Sequence, residues 1–127
     1  MANGILEHVN ITVSDNQATA RMLSDVFGWH IRWQGDAISG GHSIHIGNDD
    51  QYLAIYTPPK TTEPAHSSYI QNGGLNHVGV VVDDIDATER RVTEAGFTPI
   101  NHADYEPGRR FYFHDGDDIK WEVVSYS

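Results

Sequence analysis

Residues 7–13 alternate, with Val9, Ile11 and Val13 on one side and His8, Asn10 and Thr12 on the other. That is the period-two pattern of a half-buried strand. Asp15 or Asn16 can cap a following helix that runs to about residue 27, where Gly28 supplies its stop. Met22, Leu23, Val26 and Phe27 give this helix one apolar face. Short strands are predicted near residues 29–33, 42–46 and 52–56. The same order then returns: a strand over 76–82, a helix from Ile85 to about Ala95 behind the capping Asp84, and a stop at Gly96. Strands near 97–101, 109–114 and 119–126 complete it.

The recurrence is a duplication. Residues 6–21 and 75–90, offset by 69, share 8 identities in 16 positions, where unrelated segments would share about one. The same offset pairs Tyr52 with Trp121 and Leu53 with Glu122. Each copy reads βαβββ, which makes the fold class α+β. One helix on one sheet face in fewer than 70 residues builds a poor core alone, so two copies must cooperate, within one chain or between two. We read residues 1–127 as a single domain with modules at about 5–57 and 75–127. Residues 58–74, rich in Pro, Ser and Gly, form a linker or flap between them.

Composition narrows the function. The 127 residues carry a formal charge of −10, which argues against nucleic acid and an anionic membrane as partners. No apolar stretch is long enough to span a bilayer, and the N-terminus lacks a secretory leader, so a cytoplasmic location is expected. The absence of cysteine removes disulfides, thiolate zinc sites and cysteine nucleophiles. Eight histidines in an acidic chain are the chemistry that remains.

Strand parity gathers some of that chemistry on one face. If apolar alternate positions pack under the helices, His8 and His77 point the other way at equivalent places in the two copies. In the last strand Trp121 and Val123 suit the helix side, which sends Glu122 to the opposite face with Arg110, Tyr112 and His114. A single strand histidine or glutamate is ordinarily a solvated polar residue; the repeated register is what makes His8 and His77 notable. Two imidazoles and a carboxylate suit Zn, Fe, Mn, Co or Ni and leave coordination positions open.

The motifs resemble those of the vicinal oxygen chelate superfamily, which includes glyoxalase I, bleomycin-resistance proteins, fosfomycin-resistance enzymes and extradiol dioxygenases. The resemblance rests on Leu6-Glu7-His8-Val9 and the helix end Met22 to Trp29 in the first copy, and on Leu75-Asn76-His77-Val78 in the second. The stretch from Phe111 to Glu122 is similar to the family's FxDPDGxxxE ending, with Gly116 in place of proline and Asp118 in place of glycine. It implies two βαβββ modules curling into a half-open cup of mixed sheet, helices outside, around one divalent metal (Fe, Mn, Zn, Ni or Co) held by His8, His77 and Glu122. The fourth family ligand position falls at Leu53 by the offset, which argues against ordinary glyoxalase I chemistry. Only five residues follow Glu122 and none is basic, which argues against fosfomycin turnover.

Tyr112, ten residues before Glu122, lies where the resemblance places an active-site tyrosine, so Glu122 and Tyr112 are the catalytic candidates. Arg110, His45 and His114 are candidates for substrate binding, His45 and His114 being matched by the offset. His42 and His45 form an HxxH pair that a strand places on opposite faces. The expected function is a metal-dependent enzyme, glyoxalase- or dioxygenase-like, acting on a small vicinally oxygenated substrate as a homodimer. The rivals are a metal-free small-molecule-binding protein of the bleomycin-resistance kind and a degenerate interaction module.

Overall fold

A computed structural model describes residues 3–64 and 66–127. The chain forms two compact units, Met1–Thr62 and Glu63–Ser127. In the first, strand β1 (His8–Thr12) leads through helix α1 (Asn16–Phe27) to strands β2 (His30–Asp36), β3 (His42–Gly47) and β4 (Tyr52–Thr57). The second repeats the order with β5 (Val78–Val81), α2 (Ile85–Glu94), β6 (Ile100–Tyr105), β7 (Gly108–His114) and β8 (Lys120–Ser125). Each unit is one four-stranded mixed sheet, in the orders β1-β4-β3-β2 and β5-β8-β7-β6, with its first and last strands parallel. The class is α+β, and no helix among the described residues is long and apolar enough to cross a membrane.

Local chemistry fixes the helix ends. The Asp15 carboxylate accepts from Ala18 N at 3.2 Å and the Asp84 carboxylate from Ala87 N at 3.0 Å, so each satisfies one of the free N–H groups of a first turn. Asn16, the alternative cap, has another task. It is buried, and its amide donates to the carbonyls of His42 at 2.8 Å and Ile55 at 3.1 Å, tying the start of α1 to β3 and β4. Gly28 takes the left-handed conformation at φ 71° and closes α1 through a bond from its N–H to Ser24 O at 2.9 Å.

Each helix covers one face of its own sheet. Leu23 and Val26 of α1 bury against Ile44, Ile46, Leu53 and Ile55, whereas Ile85, Thr88 and Val92 of α2 bury with Phe111, Phe113, Trp121 and Val123. β6 begins three residues later than its sequence suggests. Pro99 has no N–H for a ladder, and Asn101 sits at φ 54° inside a register shift between Ile100 and Ala103.

The ladders correct the repeat arithmetic. Val9 faces Leu53, but its repeat Val78 faces Trp121, so Trp121 is the counterpart of Leu53 and the offset has fallen to 68. The slip starts at the helix end, where Gly28 and Gly96 are also 68 apart and α2 has 10 residues against 12 in α1. Because a strand alternates faces, one residue of slip moves a side chain to the other side of the sheet. Leu53 therefore lies in the core under α1, not at a fourth ligand position. Ala54, opposite Asn10, takes the place that Glu122 holds opposite Gly79. His45 faces Ala54 as Tyr112 faces Glu122, so the counterpart of His45 is Tyr112, 67 residues on, and not His114, which shares its face.

A carboxylate at position 53 would be buried without a partner. Leu53→Glu is expected to cost at least about 3 kcal/mol of stability, read as a fall in the urea midpoint. A midpoint equal to that of the unsubstituted protein would place residue 53 on the open face.

Candidate functional site

The face that each helix leaves uncovered carries the polar cluster of its unit. In the first unit the cluster is a row of rings crossing all four strands. His8 stacks on Tyr52 with centroids 4.9 Å apart, Tyr52 on His45 at 4.7 Å, and His45 lies 5.0 Å from Trp33. The Arg32 guanidinium sits 4.5 Å over the Tyr52 ring. At the β1 end His8 Nδ1 donates to Glu7 Oε1 at 2.9 Å, and the Tyr52 hydroxyl donates to the same oxygen at 3.4 Å. The bond from His8 holds the Glu7 carboxyl below its ordinary range. Burial, followed by the nearby His8 and Arg32 charges, pushes the His45 imidazole below the usual histidine range and favours its neutral form.

The second unit gathers an acid instead. Glu122, on β8, receives the Tyr112 hydroxyl at Oε2 over 2.7 Å and Arg110 Nη1 at the same oxygen over 3.4 Å. Its other oxygen, Oε1, lies 3.8 Å from His77 Nε2. Gly79 faces Glu122 across the ladder, and a Cβ there would come within 3.4 Å of Oε1. The glycine therefore keeps the space beside that oxygen open. The bond to Glu122, and then burial, raise the Tyr112 phenol above its ordinary range. Tyr112 is thus a neutral donor at physiological pH rather than a base. Arg110 Nε is buried without a hydrogen-bond partner.

The two histidines share one device. His77 Nδ1 meets the Asn76 side-chain oxygen at 2.9 Å, just as His8 Nδ1 meets that of Glu7. With the proton on Nδ1, the lone pair is on Nε2 in both rings, which is the state a metal ligand needs. Two donors on one divalent ion, each at about 2.0–2.2 Å, stand no more than about 4.4 Å apart, and the 3.8 Å between His77 Nε2 and Glu122 Oε1 meets that limit. The donor set of His8, His77 and Glu122 fits a divalent ion in its chemistry. His8 belongs to the first unit and His77 and Glu122 to the second, and neither unit alone gathers three such donors among its described residues.

Other basic and imidazole side chains have partners of their own. His114 stands at the end of β7, where its Nδ1 lies 3.0 Å from Asp118 Oδ1, and it faces Lys120 across the ladder. Arg109 pairs with Asp86 at 3.0 Å, and His102 with Glu89 at 2.8 Å. His42 turns toward the helix side and meets Asn16, so the HxxH pair is split between faces. Sequence reasoning passed over Glu7 and Asn76, although both precede a ligand candidate at the same repeat position and both carry a side-chain oxygen. It also passed over Tyr52, which the offset had matched to the buried Trp121.

Known proteins resemble the whole chain. It is similar in structure to a glyoxylase/bleomycin resistance protein/dioxygenase domain from Frankia sp. EAN1pec, with a TM-score of 0.81 and 18% identity over 98% of this chain and 93% of that one. It is similar to the fosfomycin resistance protein FosX from Mesorhizobium loti, with a TM-score of 0.73 and 26% identity over 98% and 92%. FosX from Listeria monocytogenes, solved in complex with Mn(II) and a sulfate ion, gives a TM-score of 0.72 and 17% identity over 100% and 95%. No curated protein matches the sequence. The family model of the Glyoxalase/Bleomycin resistance protein/Dioxygenase superfamily matches residues 5–123, and the chain belongs to that superfamily.

Proposed function

We propose that the chain is a divalent-metal-dependent enzyme acting on a small vicinally oxygenated substrate, with His8, His77 and Glu122 as the ligands. The supporting observation is the matched anchoring of both imidazoles at Nδ1, together with a Glu122 carboxylate whose Oε1 is left toward His77. A bound divalent ion would supply Lewis acidity to two neighbouring substrate oxygens. Arg110 and Tyr112 fix the orientation of the Glu122 carboxylate through Oε2. Tyr112 holds its proton beside that carboxylate and is placed to give it to a substrate oxygen that gains negative charge. Arg110 offsets part of the charge that builds there. His45 and His114 are the remaining substrate-binding candidates, His45 as a neutral ring within the stack of the first unit.

A second reading has its own observation. The row of His8, Tyr52, His45 and Trp33 offers apolar ring surface and edge donors to a flat ligand, as a metal-free binding protein would. Metal content separates the two. As isolated, the protein is expected to hold about one divalent ion per His-His-Glu set. His8→Ala, His77→Ala and Glu122→Ala should lose it, whereas His30→Ala should keep it. Glu7→Ala and Asn76→Ala should weaken binding about 10- to 100-fold through the released imidazoles. Affinity should fall on acidification, because protons compete with the ion for the ligand lone pairs. Elemental analysis and competitive chelation read all of these, and equal metal content in every variant would sink the assignment.

Tyr112→Phe tests the proton donor. At saturating metal it should slow turnover by about 10²-fold or more; full activity would remove Tyr112 from the chemistry. The working form we propose is a cytoplasmic homodimer. Sedimentation at micromolar concentration should give twice the 14.2 kDa chain mass, and a monomer would refute it.

A further inference from the structure

One cation on the open face of the second unit has no part in the reading above. Lys120 precedes Glu122 by two residues on β8, so both side chains leave the same side of the strand. The Lys120 ammonium lies 4.7 Å from the centre of the Tyr112 ring, the ring whose hydroxyl holds Glu122. Its hydrogen bond, 2.6 Å long, goes to the hydroxyl of Tyr69, and its charge lies 5.2 Å from the centre of that ring too. Tyr69 belongs to a compact turn. Ile70 N donates to Ser67 O at 3.1 Å, Gly74 N to Gln71 O at 2.9 Å, and Tyr69 N to Ser67 Oγ at 3.3 Å. The Tyr69 side chain itself is 58% exposed, held at the ring and hydroxyl by Lys120.

An ammonium bonded to a neutral phenol is only partly satisfied, because a bond to an oxyanion is roughly twice as strong. The Tyr112 ring keeps the charge in place without neutralising it. Lys120 and Arg110 thus put two cations on the open face of β7 and β8, where Glu122 supplies the facing carboxylate, in a chain whose overall charge is −10. Screening over a Debye length of about 8 Å leaves an incoming anion to feel the local cations rather than the distant acids.

The geometry points to Lys120 as the residue that selects the substrate: the substrate carries a carboxylate that displaces the Tyr69 hydroxyl from Lys120, one aromatic ring away from Glu122. This rests on the proposed metal reading for the position of the vicinal oxygens, and Lys120 supplies the second point of attachment. The substrate class is therefore an oxyacid whose acid group is separated from its oxygen pair by about the width of a ring. Tyr69 holds the cation until that group arrives.

A matched pair of probes tests it. 3,4-Dihydroxybenzoate and 3,4-dihydroxybenzamide present the same oxygen pair, and only the first carries the negative charge. Isothermal titration of the whole protein, with and without Mn(II), should show the acid bound at least about tenfold more tightly than the amide, a factor worth about 1.4 kcal/mol. Lys120→Met should bring the two within about twofold and leave Mn(II) uptake unchanged. Tyr69→Phe, which removes the competing hydroxyl, should tighten the acid a few-fold and leave the amide where it was. No preference in the unsubstituted protein, no measurable binding of the acid, a preference that survives Lys120→Met, or a weakened acid in Tyr69→Phe would each overturn the inference. Failure to take up Mn(II), with the Lys120-dependent preference intact, would instead overturn the metal reading alone.

Discussion

In each unit one helix covers one face of a four-stranded sheet, and the other face carries the polar chemistry. That single cover makes strand register the controlling variable. A side chain on the helix side must be apolar or lose free energy, and one on the open side is free to be chemical. Trp121 and Glu122 are adjacent in sequence, yet one is fully buried and the other receives a phenol and a guanidinium. Asp115 helps hold this register at the turn before β8. One carboxylate oxygen accepts from Asp117 N and Ile119 N, and the other accepts from Trp121 Nε1 at 3.0 Å. Burial pushes its carboxyl above the ordinary range even against those bonds, a measure of how enclosed the turn is.

The same constraint explains how the histidines are prepared. A histidine at the start of an edge strand has few neighbours to fix its ring or its tautomer, and here the preceding residue does both. Glu7 and Asn76 reach Nδ1 from one position back, with an acid in one copy and an amide in the other. The carboxylate brings a negative charge to one ring, whereas the amide orients the other without adding charge. Glu122 needs no such strand-end anchor. It lies within β8 and is fixed by Tyr112 from the neighbouring strand.

Much of this was legible in the sequence. Period-two and helical patterns located both βαβββ units, and the Asp15 and Asp84 caps and the Gly28 stop were visible as residue types. Parity placed His8, Tyr112 and Glu122 on open faces and separated His42 from His45, because within a strand the alternation is rigid. What failed was arithmetic across a gap. The identities that define the 69-residue offset end at Arg21 and Arg90, and α2 then loses length, so Leu53 and His45 were matched to the wrong partners. The counterparts stand 68 residues on at Leu53 and 67 at His45, shifts that leave almost no trace in composition or pattern, yet the odd one sends residue 53 to the other face. The anchoring of the rings was invisible for another reason. An oxygen-bearing residue before a histidine is common, and only coordinates show it within bonding distance.

Corrected for the slip, the duplication reveals how its halves have diverged. The pair His45 and Ala54 in the first unit occupies the ladder positions of Tyr112 and Glu122 in the second. Where the second unit keeps an acid and a phenol that donates to it, the first has a methyl group and an imidazole. Ala54 adds no side chain beyond Cβ between Tyr52 and Tyr56 on its own strand, and the neighbouring rings close into a continuous stack from His8 to Trp33. A carboxylate at that position would compete for the Tyr52 and His45 edges and bring a charge into a row whose His45 already favours neutrality. One half therefore concentrates charge and hydrogen bonding around a single acid, and the other offers neutral ring surface ending in one imidazole.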